Sequence, residues 1–215
     1  KYELMNQRLS LNTPWAIGED AYHILIDVLS HRDIDHVLEF GSGRSTVRLG
    51  LDFPEVLLTS IENDPEMHIQ TLALLKEYRL SNVTVLLCPL KKQRFGLRWY
   101  LSYDFDGLIL DRAIDFVFVD GPVESITIRG REATLYHVFS KIKIGGLIAL
   151  HDYHRPSAKQ MVENWKNSYP QALRVVRQYD DLIILEKTGQ QIQPAFPGVS
   201  SWVDNLQVNL RLNIR

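Results

Sequence analysis

The sequence predicts an α/β fold, a doubly wound, mostly parallel seven-stranded sheet finished by an antiparallel terminal hairpin. Three observations carry this expectation. Short apolar runs alternate with stretches of helical periodicity, the pattern of a parallel sheet with helices on both sides. The runs are continuously apolar, as in strands covered on both faces. Late in the chain, two runs are separated only by Asp180-Asp181, which is too short for a parallel crossover and so must turn a hairpin.

The elements follow in order. Ala21, Ile24, Leu25, Val28 and Leu29 recur at helical spacing and predict an amphipathic helix over 19–31. A short apolar strand at 36–40 runs into Gly41-Ser42-Gly43, and a second helix starts near Arg44 and ends by Pro54. Residues 56–61 form the next strand, and 65–78 a helix with Ile69, Leu72, Ala73 and Leu75 inward. Strands are expected at 83–87 and 115–119; between them, 89–114 shows only weak alternation at Leu97, Trp99 and Leu101. A helix over 130–143 buries Leu135, Val138, Phe139 and Ile142 and is stopped by Gly145-Gly146. The fifth strand is 147–150. Ser157-Ala-Lys-Gln160 resembles a capping box that opens a helix with Met161 and Trp165 on one face. The hairpin pairs 173–179 with 182–186.

Bulk composition narrows the function classes. A length of 215 residues suits one domain with a terminal appendage, and the apolar share of 45% and charged share of 23% are ordinary for a globular chain. The formal charge of -2 gives no support to a nucleic-acid partner. Cys88 is the single cysteine, so no intrachain disulfide forms; this favours a reducing, cytoplasmic setting. The start, KYELMNQRLS, has no apolar signal core, and no apolar run approaches the roughly 20 residues that span a bilayer, so no membrane partner is expected. The chain begins at Lys1, which leaves room for residues before it.

The string VLEFGSGRST, residues 37–46, runs from strand to glycine turn to helix. Glycines let a backbone approach a ligand without a Cβ in the way. The spacing is Gly41-x-Gly43-x-x-Thr46, with Thr46 where the dinucleotide fingerprint has its third glycine, which disfavours a pyrophosphate cofactor. Glu39 ends the strand and is placed to face the ammonium or sulfonium region of a bound amino acid. Glu62, 23 residues on in TSIENDP, ends the next strand, where a carboxylate can accept from ribose hydroxyls. The bland alternatives are a ligand-free turn and an exposed loop carboxylate. Two carboxylates at strand ends in one βαβ unit favour a ribose-bearing cofactor.

Together, VLEFGSGRST, SIENDP, FVFVDGP and GGLIALHDYHRP resemble the successive motifs of class I S-adenosylmethionine-dependent methyltransferases, and most closely the small-molecule branch that includes catechol and macrocin O-methyltransferases. The resemblance covers about residues 18–187 and implies a Rossmann-like methyltransferase sheet, whose antiparallel terminal hairpin an ordinary dinucleotide-binding domain does not need. It implies S-adenosylmethionine lying across the strand ends. Glu39 and Gly41 would lie near its methionine part, Ser45 and Thr46 beside it, and Glu62 at its ribose, with Ser42, Gly43, Asn63 and Asp120 as further cofactor-binding residues. Cys88, Pro89 and Leu90 stand where the family has its adenine contact, but Cys88 replaces the usual polar residue.

Asp120 ends the fourth strand and His151-Asp152 the fifth, so they can converge near the cofactor. Methyl transfer requires an aligned acceptor and removal of its proton. The resemblance implies Mg2+, or another divalent ion, held by Asp120 and Asp152, but Tyr153 stands where the family places its next ligand. The metal-free alternative makes His151 or His154 the general base. Arg129, Arg131 and Arg155 could bind an anionic part of the substrate, or form a solvated face, as could Lys91, Lys92, Arg94 and Arg98. Trp99, Tyr100 and Tyr103 fit an acceptor pocket, a lid or the core of an inserted hairpin. DFDG, residues 104–107, lacks the rest of a Ca2+ loop.

The expected activity is methyl transfer to a small hydroxylated acceptor. A noncatalytic cofactor-binding or assembly module, transfer to nitrogen, and aminocarboxypropyl transfer are alternatives on the same fold. Residues 1–187 would form the domain, and 188–215 a linker and strand extension. In that extension Leu206, Val208, Leu210, Leu212 and Ile214 alternate with polar residues. The alternation predicts a strand docked on a sheet edge, with a homodimer as one outcome and a frayed terminus as the other.

Overall fold

The computed structural model describes residues 9–11, 16–127, 129–190 and 193–196. The expected strand over 206–214 lies outside them. Helix α1 (Glu19–Ser30) precedes strand β1 (His36–Phe40), helix α2 (Arg44–Asp52), β2 (Leu57–Glu62), α3 (Pro65–Glu77) and β3 (Val83–Leu87). An antiparallel pair, β4 (Leu90–Phe95) and β5 (Arg98–Tyr103), comes next. Then come β6 (Ile114–Val119), α4 (Gly130–Val138), β7 (Ile142–His151), α5 (Pro156–Ser168), β8 (Leu173–Tyr179) and β9 (Leu182–Lys187). Seven strands form one sheet in the order β3-β2-β1-β6-β7-β9-β8. The β1, β2, β3, β6 and β7 pairings are parallel, and β9 runs antiparallel to both β7 and β8.

Burial follows from this layering. On one face, Tyr22, Leu25 and Leu29 of α1 pack on Val37, Phe116, Phe118 and Leu147. On the other, α4, α5 and the β4–β5 hairpin cover Leu38, Phe40, Val117, Val119 and Ile148. Each fully buried Leu, Val or Phe contributes roughly 1.5–3 kcal/mol before entropy is subtracted. β1 and β6 have every residue buried, which explains their mostly apolar sequences; their polar residues His36, Glu39 and Asp115 all have hydrogen-bond partners. The start of β1 is pinned beside β6 by Asp115, whose Oδ2 accepts from Asp35 N and His36 N, both at 3.0 Å.

Several elements depart from the sequence expectation, each for a physical reason. Gly145-Gly146 do not stop a helix. Helix α4 ends at Val138, a 3-10 turn follows, and the glycines lie within β7. The β6–β7 register shifts between Ile114 and Phe116, and a Cβ on Gly146 would press on the carbonyl oxygens of Lys143 and Asp115. In α3, Thr71 and Leu75 face inward, whereas Ile69 and Leu72 are exposed. Helix α5 opens at Pro156, with Arg155 as N-cap and no side-chain cap, so Ser157 is already inside the first turn. The weak alternation over 89–114 resolves as the β4–β5 hairpin, with Tyr100 and Tyr103 turned into the core.

A buried carboxylate fastens this hairpin. Glu132 of α4 is 1% exposed. It accepts hydrogen bonds from Tyr100 of β5 at 3.0 Å, Tyr136 of α4 at 2.9 Å and Asn164 of α5 at 2.9 Å. Ser102 Oγ adds a bond to Gly130 O at 2.8 Å. Replacing Glu132 by Ala strands three buried donors and is expected to cost about 3 kcal/mol, while Glu132→Gln, which keeps one acceptor oxygen, costs less. Urea unfolding of the three proteins checks this order.

Candidate functional site

The carboxyl ends of β1, β2, β6 and β7 share one edge of the sheet. The chain leaves β1 toward β2 on one side and has β6 on the other, so the strand order reverses between β1 and β6. In open α/β sheets that reversal opens a crevice where ligands bind.

The turn after β1 is shaped by what it touches. Gly41 has φ +92°, and a Cβ there would lie 2.8 Å from Gly121 N. Gly121 is equally confined, because a Cβ on it would meet Gly41 Cα and the Tyr103 hydroxyl. Gly121 N and Asp120 N both donate to Phe40 O, at 2.6 and 2.9 Å. The turns after β1 and β6 therefore lie back to back.

Glu39 is fully buried beneath this turn. Ser45 donates to its Oε1 at 2.8 Å, Ser60 to Oε2 at 2.7 Å, and Thr46 also to Oε2, while Gly43 N donates to Thr46 Oγ1 at 2.8 Å. Thr46, where a third glycine would stand, is thus a link between the glycine turn and Glu39. Burial pushes the Glu39 carboxyl up to about 7 against the pull of the three hydroxyls. Its oxygens face these hydroxyls, so in this structure the group braces the turn.

Glu62 also faces the turn. Oε2 accepts from Ser42 N at 2.8 Å and Ser42 Oγ at 3.3 Å, and Oε1 from Asn63 N at 2.7 Å and Asp64 N at 2.8 Å. The Ser42 hydroxyl has an alternative partner, Thr71 Oγ1, at 3.1 Å. Rotation toward Thr71 would free one acceptor position on Glu62. Cys88 N donates to Glu62 O at 2.7 Å, and burial, with Asp104 nearby, pushes the Cys88 thiol up. Tyr103 is 1% exposed, and its hydroxyl has no hydrogen-bond partner among the described residues. It lies against Gly121, in the field of Glu62, Asp120, Arg131 and Glu39. An orphaned buried hydroxyl beside two glycines and a strand-end carboxylate suits a polar ligand that approaches the backbone closely.

The ends of β6 and β7 do converge. His151 Nδ1 lies 2.8 Å from Asp120 Oδ1, and its Nε2 lies 3.0 Å from Asp181 Oδ2. Burial disfavours the imidazolium, but Asp120, with Asp152 and Asp181, outweighs burial and lifts His151 to about 9. For Asp120, burial is outweighed by His151, Arg131 and Arg155, which hold it below the usual carboxylate range. Asp152 sits at φ +62°, a left-handed conformation that a non-glycine residue adopts only at a cost. Arg131 Nη1 lies 2.8 Å from Asp152 Oδ2 and Nη2 3.7 Å from Asp120 Oδ1, while Arg155 Nη2 lies 2.9 Å from Asp152 Oδ1. His154 is half-exposed and hydrogen-bonds through Nδ1 to Asp181 Oδ1. It lines an open cleft of about 470 Å³ with Tyr153, Lys159, Gln178, Tyr179 and Asp180.

These carboxylates suit a divalent ion poorly. Asp120, His151 and Asp152 offer ligand atoms within 4.8 Å of one another, yet Asp152 already receives a guanidinium on each oxygen, and Tyr153 packs against the core. Of the basic groups, Arg155 pairs with Asp152 and Glu124, while Lys92 and Arg94 lie over the Trp99 ring on the hairpin's outer face.

Sequence reasoning missed Asp181 and undervalued Arg131. Asp181 read as half of a tight turn, but the pairing of His151 with Leu182 brings that turn to the end of β7. The hairpin register, countable from the two apolar runs, is the signal that could have found it.

The raised Glu39 has a consequence for stability. The fold favours its protonated form, so its contribution is fully present below the unfolded value of 4.5 and is lost as pH rises through about 7. Glu39→Gln, neutral throughout, should flatten the fall in unfolding free energy across this window. Chemical denaturation of both proteins at several pH values checks it, and equal slopes would show that Glu39 ionises freely in the fold.

No protein-family model matches the chain, and no curated protein matches it in sequence. Solved structures do. An O-methyltransferase from Bacillus cereus in complex with SAH is 14% identical, with TM-score 0.60 over 82% of this chain and 84% of that one. The O-methyltransferase TomG from Streptomyces achromogenes, involved in tomaymycin synthesis and solved with SAM, is 15% identical, with TM-score 0.59 over 81% and 82%. A precorrin-6y C5,15-methyltransferase from Geobacter metallireducens is 15% identical, with TM-score 0.60 over 86% and 96%. At such identities the likeness is one of architecture, and with the β3-β2-β1-β6-β7-β9-β8 sheet it shows that this chain has the fold of the class I S-adenosylmethionine-dependent methyltransferases.

Proposed function

We propose that this protein is an S-adenosylmethionine-dependent methyltransferase that acts on an oxygen of a small hydroxylated acceptor. The observation that carries the reading is the shared edge. A glycine turn backed by Glu39 and flanked by Glu62 stands beside a second turn whose Asp120 joins His151, Asp181 and His154 in one hydrogen-bonded chain. The residues fit the cofactor. Glu62 would hold the ribose once Ser42 turns to Thr71, and the Tyr103 hydroxyl would gain the partner it lacks. When bound, S-adenosylmethionine supplies an electrophilic methyl on a sulfonium.

The remaining residues divide the work. His151, at about 9, carries its proton at neutral pH and ties Asp120 to Asp181. That makes it a positioning group. His154 is the better base: Asp181 fixes Nδ1 as the donor nitrogen, leaving Nε2 to take the acceptor's proton. The open cleft that His154 shares with Tyr153, Lys159 and Gln178 is where a hydroxylated acceptor would sit.

Calorimetry with S-adenosylhomocysteine and with NAD tests the cofactor. The first should bind and the second should not, and the reverse would sink the reading. Glu62→Ala should weaken the homocysteine derivative by about 1–3 kcal/mol, the worth of a charged hydrogen bond, with unfolding measured alongside to separate loss of the turn. His154→Ala should lower turnover about 10²–10⁴-fold on a panel of phenolic and sugar acceptors, with cofactor affinity unchanged. Cofactor binding without turnover on any acceptor would instead favour a noncatalytic binding module.

A further inference from the structure

We propose that Arg131 is a built-in cation that takes the place of a bridging divalent ion, so that the strand-end carboxylates of this site assemble without metal. Arg131 is 6% exposed, and its guanidinium spans the ends of β6 and β7. One terminal nitrogen lies 2.8 Å from Asp152 Oδ2, the other 3.7 Å from Asp120 Oδ1, and Nε donates to Pro122 O at 3.1 Å. Two carboxylates joined from two strand ends by one central cation is the arrangement a bridging metal gives, made here by a planar five-donor group.

The surroundings are built for that group. Arg131 is the second residue of α4, and Arg129 before it adopts φ +53°, which starts the helix directly beside the site. A Cβ on Gly130 would collide with Leu101 O and the Pro122 ring, so the approach of Arg131 depends on a glycine. Neighbouring contacts engage most of the other ligand atoms: Arg155 on Asp152 Oδ1, His151 on the same Asp120 Oδ1 that Arg131 faces, and His151 and His154 on the two oxygens of Asp181. Mg2+ needs near-octahedral oxygen ligation, and a dication between Asp120 and Asp152 would displace or face the Arg131 guanidinium. Asp120 and Asp152, legible in the sequence as metal ligands, here are ligands of an arginine.

The test reads ion binding rather than methyl transfer, so its outcome is independent of the proposed activity. Mn2+ is titrated into the wild-type protein with electron paramagnetic resonance detection, and into Arg131→Gln and Arg131→Gln/Asp152→Asn. The wild type should show no saturable site, and its melting temperature should be the same in chelator and in Mg2+. Arg131→Gln should gain a saturable Mn2+ site, at least about 10-fold tighter than the weakest binding the titration detects, the scale typical of changes around a metal site, and the second substitution should abolish it. Saturable wild-type binding that Asp120→Asn or Asp152→Asn removes would overturn the proposal, as would a folded Arg131→Gln that gains nothing. If Arg131→Gln does not fold, the wild-type titration decides alone: a saturable site that Asp120→Asn or Asp152→Asn removes overturns the proposal, and the absence of such a site upholds it.

Discussion

The back-to-back contact of Gly41 and Gly121 is the constraint on which the site depends. Two strands leave the sheet side by side, and their turns meet with no room for a Cβ on either. Both backbone donors of the second turn reach the same carbonyl, Phe40 O, at the end of β1. This fixes Asp120 relative to the glycine turn more tightly than side-chain contacts would, because backbone hydrogen bonds leave few soft torsions. Everything the edge of the sheet does is referenced to this junction. Glu39 and Glu62 approach it from beneath and beside, Tyr103 from the inserted hairpin, and Arg131 from the helix that follows Gly130.

Charge is the second organising feature, and it is handled by pairing. An isolated buried carboxylate is costly enough that it is normally protonated, hydrogen-bonded or ion-paired. Glu39 takes the hydroxyl route and moves toward neutrality at about 7. Asp120 takes the ionic route and stays below the usual range. The difference decides their roles: the first is part of the scaffold of the turn, and the second supplies a fixed negative charge. Glu132 combines hydrogen bonds from two tyrosines and an asparagine with the Arg98 guanidinium 4.0 Å away, well inside the layer between hairpin and helices.

Much of the architecture was legible because it is local. The continuous apolar runs of β1, β3 and β6, the Gly-x-Gly turn and the Asp180-Asp181 hairpin each carry their own signature within ten residues. What failed was decided at longer range. Gly145-Gly146 carry the usual mark of a helix stop, but the shift in register against β6 needs them inside a strand. Ile69 and Leu72 match a helical stripe, yet α3 lies over β2 and β3 at the sheet edge, where Thr71 and Leu75 face inward. Within the site, Asp120, His151 and Asp152 could be placed together because adjacent strands end together. Their partners Arg131 and Asp181 come from a helix start and a hairpin turn; no local pattern marks Arg131, and Asp181 emerges only from counting the hairpin register against β7.

The terminal hairpin explains why such partners are needed. A parallel strand beside β7 would bring its own carboxyl end, and the loop after it, to the edge where His151 lies. Because β9 is antiparallel, its first residue, Leu182, pairs with His151 at the end of β7, and the turn before it delivers Asp181 to the same edge. Asp181 then reaches both His151 and His154, the one buried and the other half-exposed over the open cleft. A carboxylate shared by two imidazoles, the first tied to Asp120, runs a continuous polar path from the glycine junction to solvent. Reversal of one strand pair thus brings a hairpin-turn carboxylate to the row of strand-end carboxylates and joins it to two imidazoles. The hairpin therefore shapes the polar end of this sheet as much as it closes its edge.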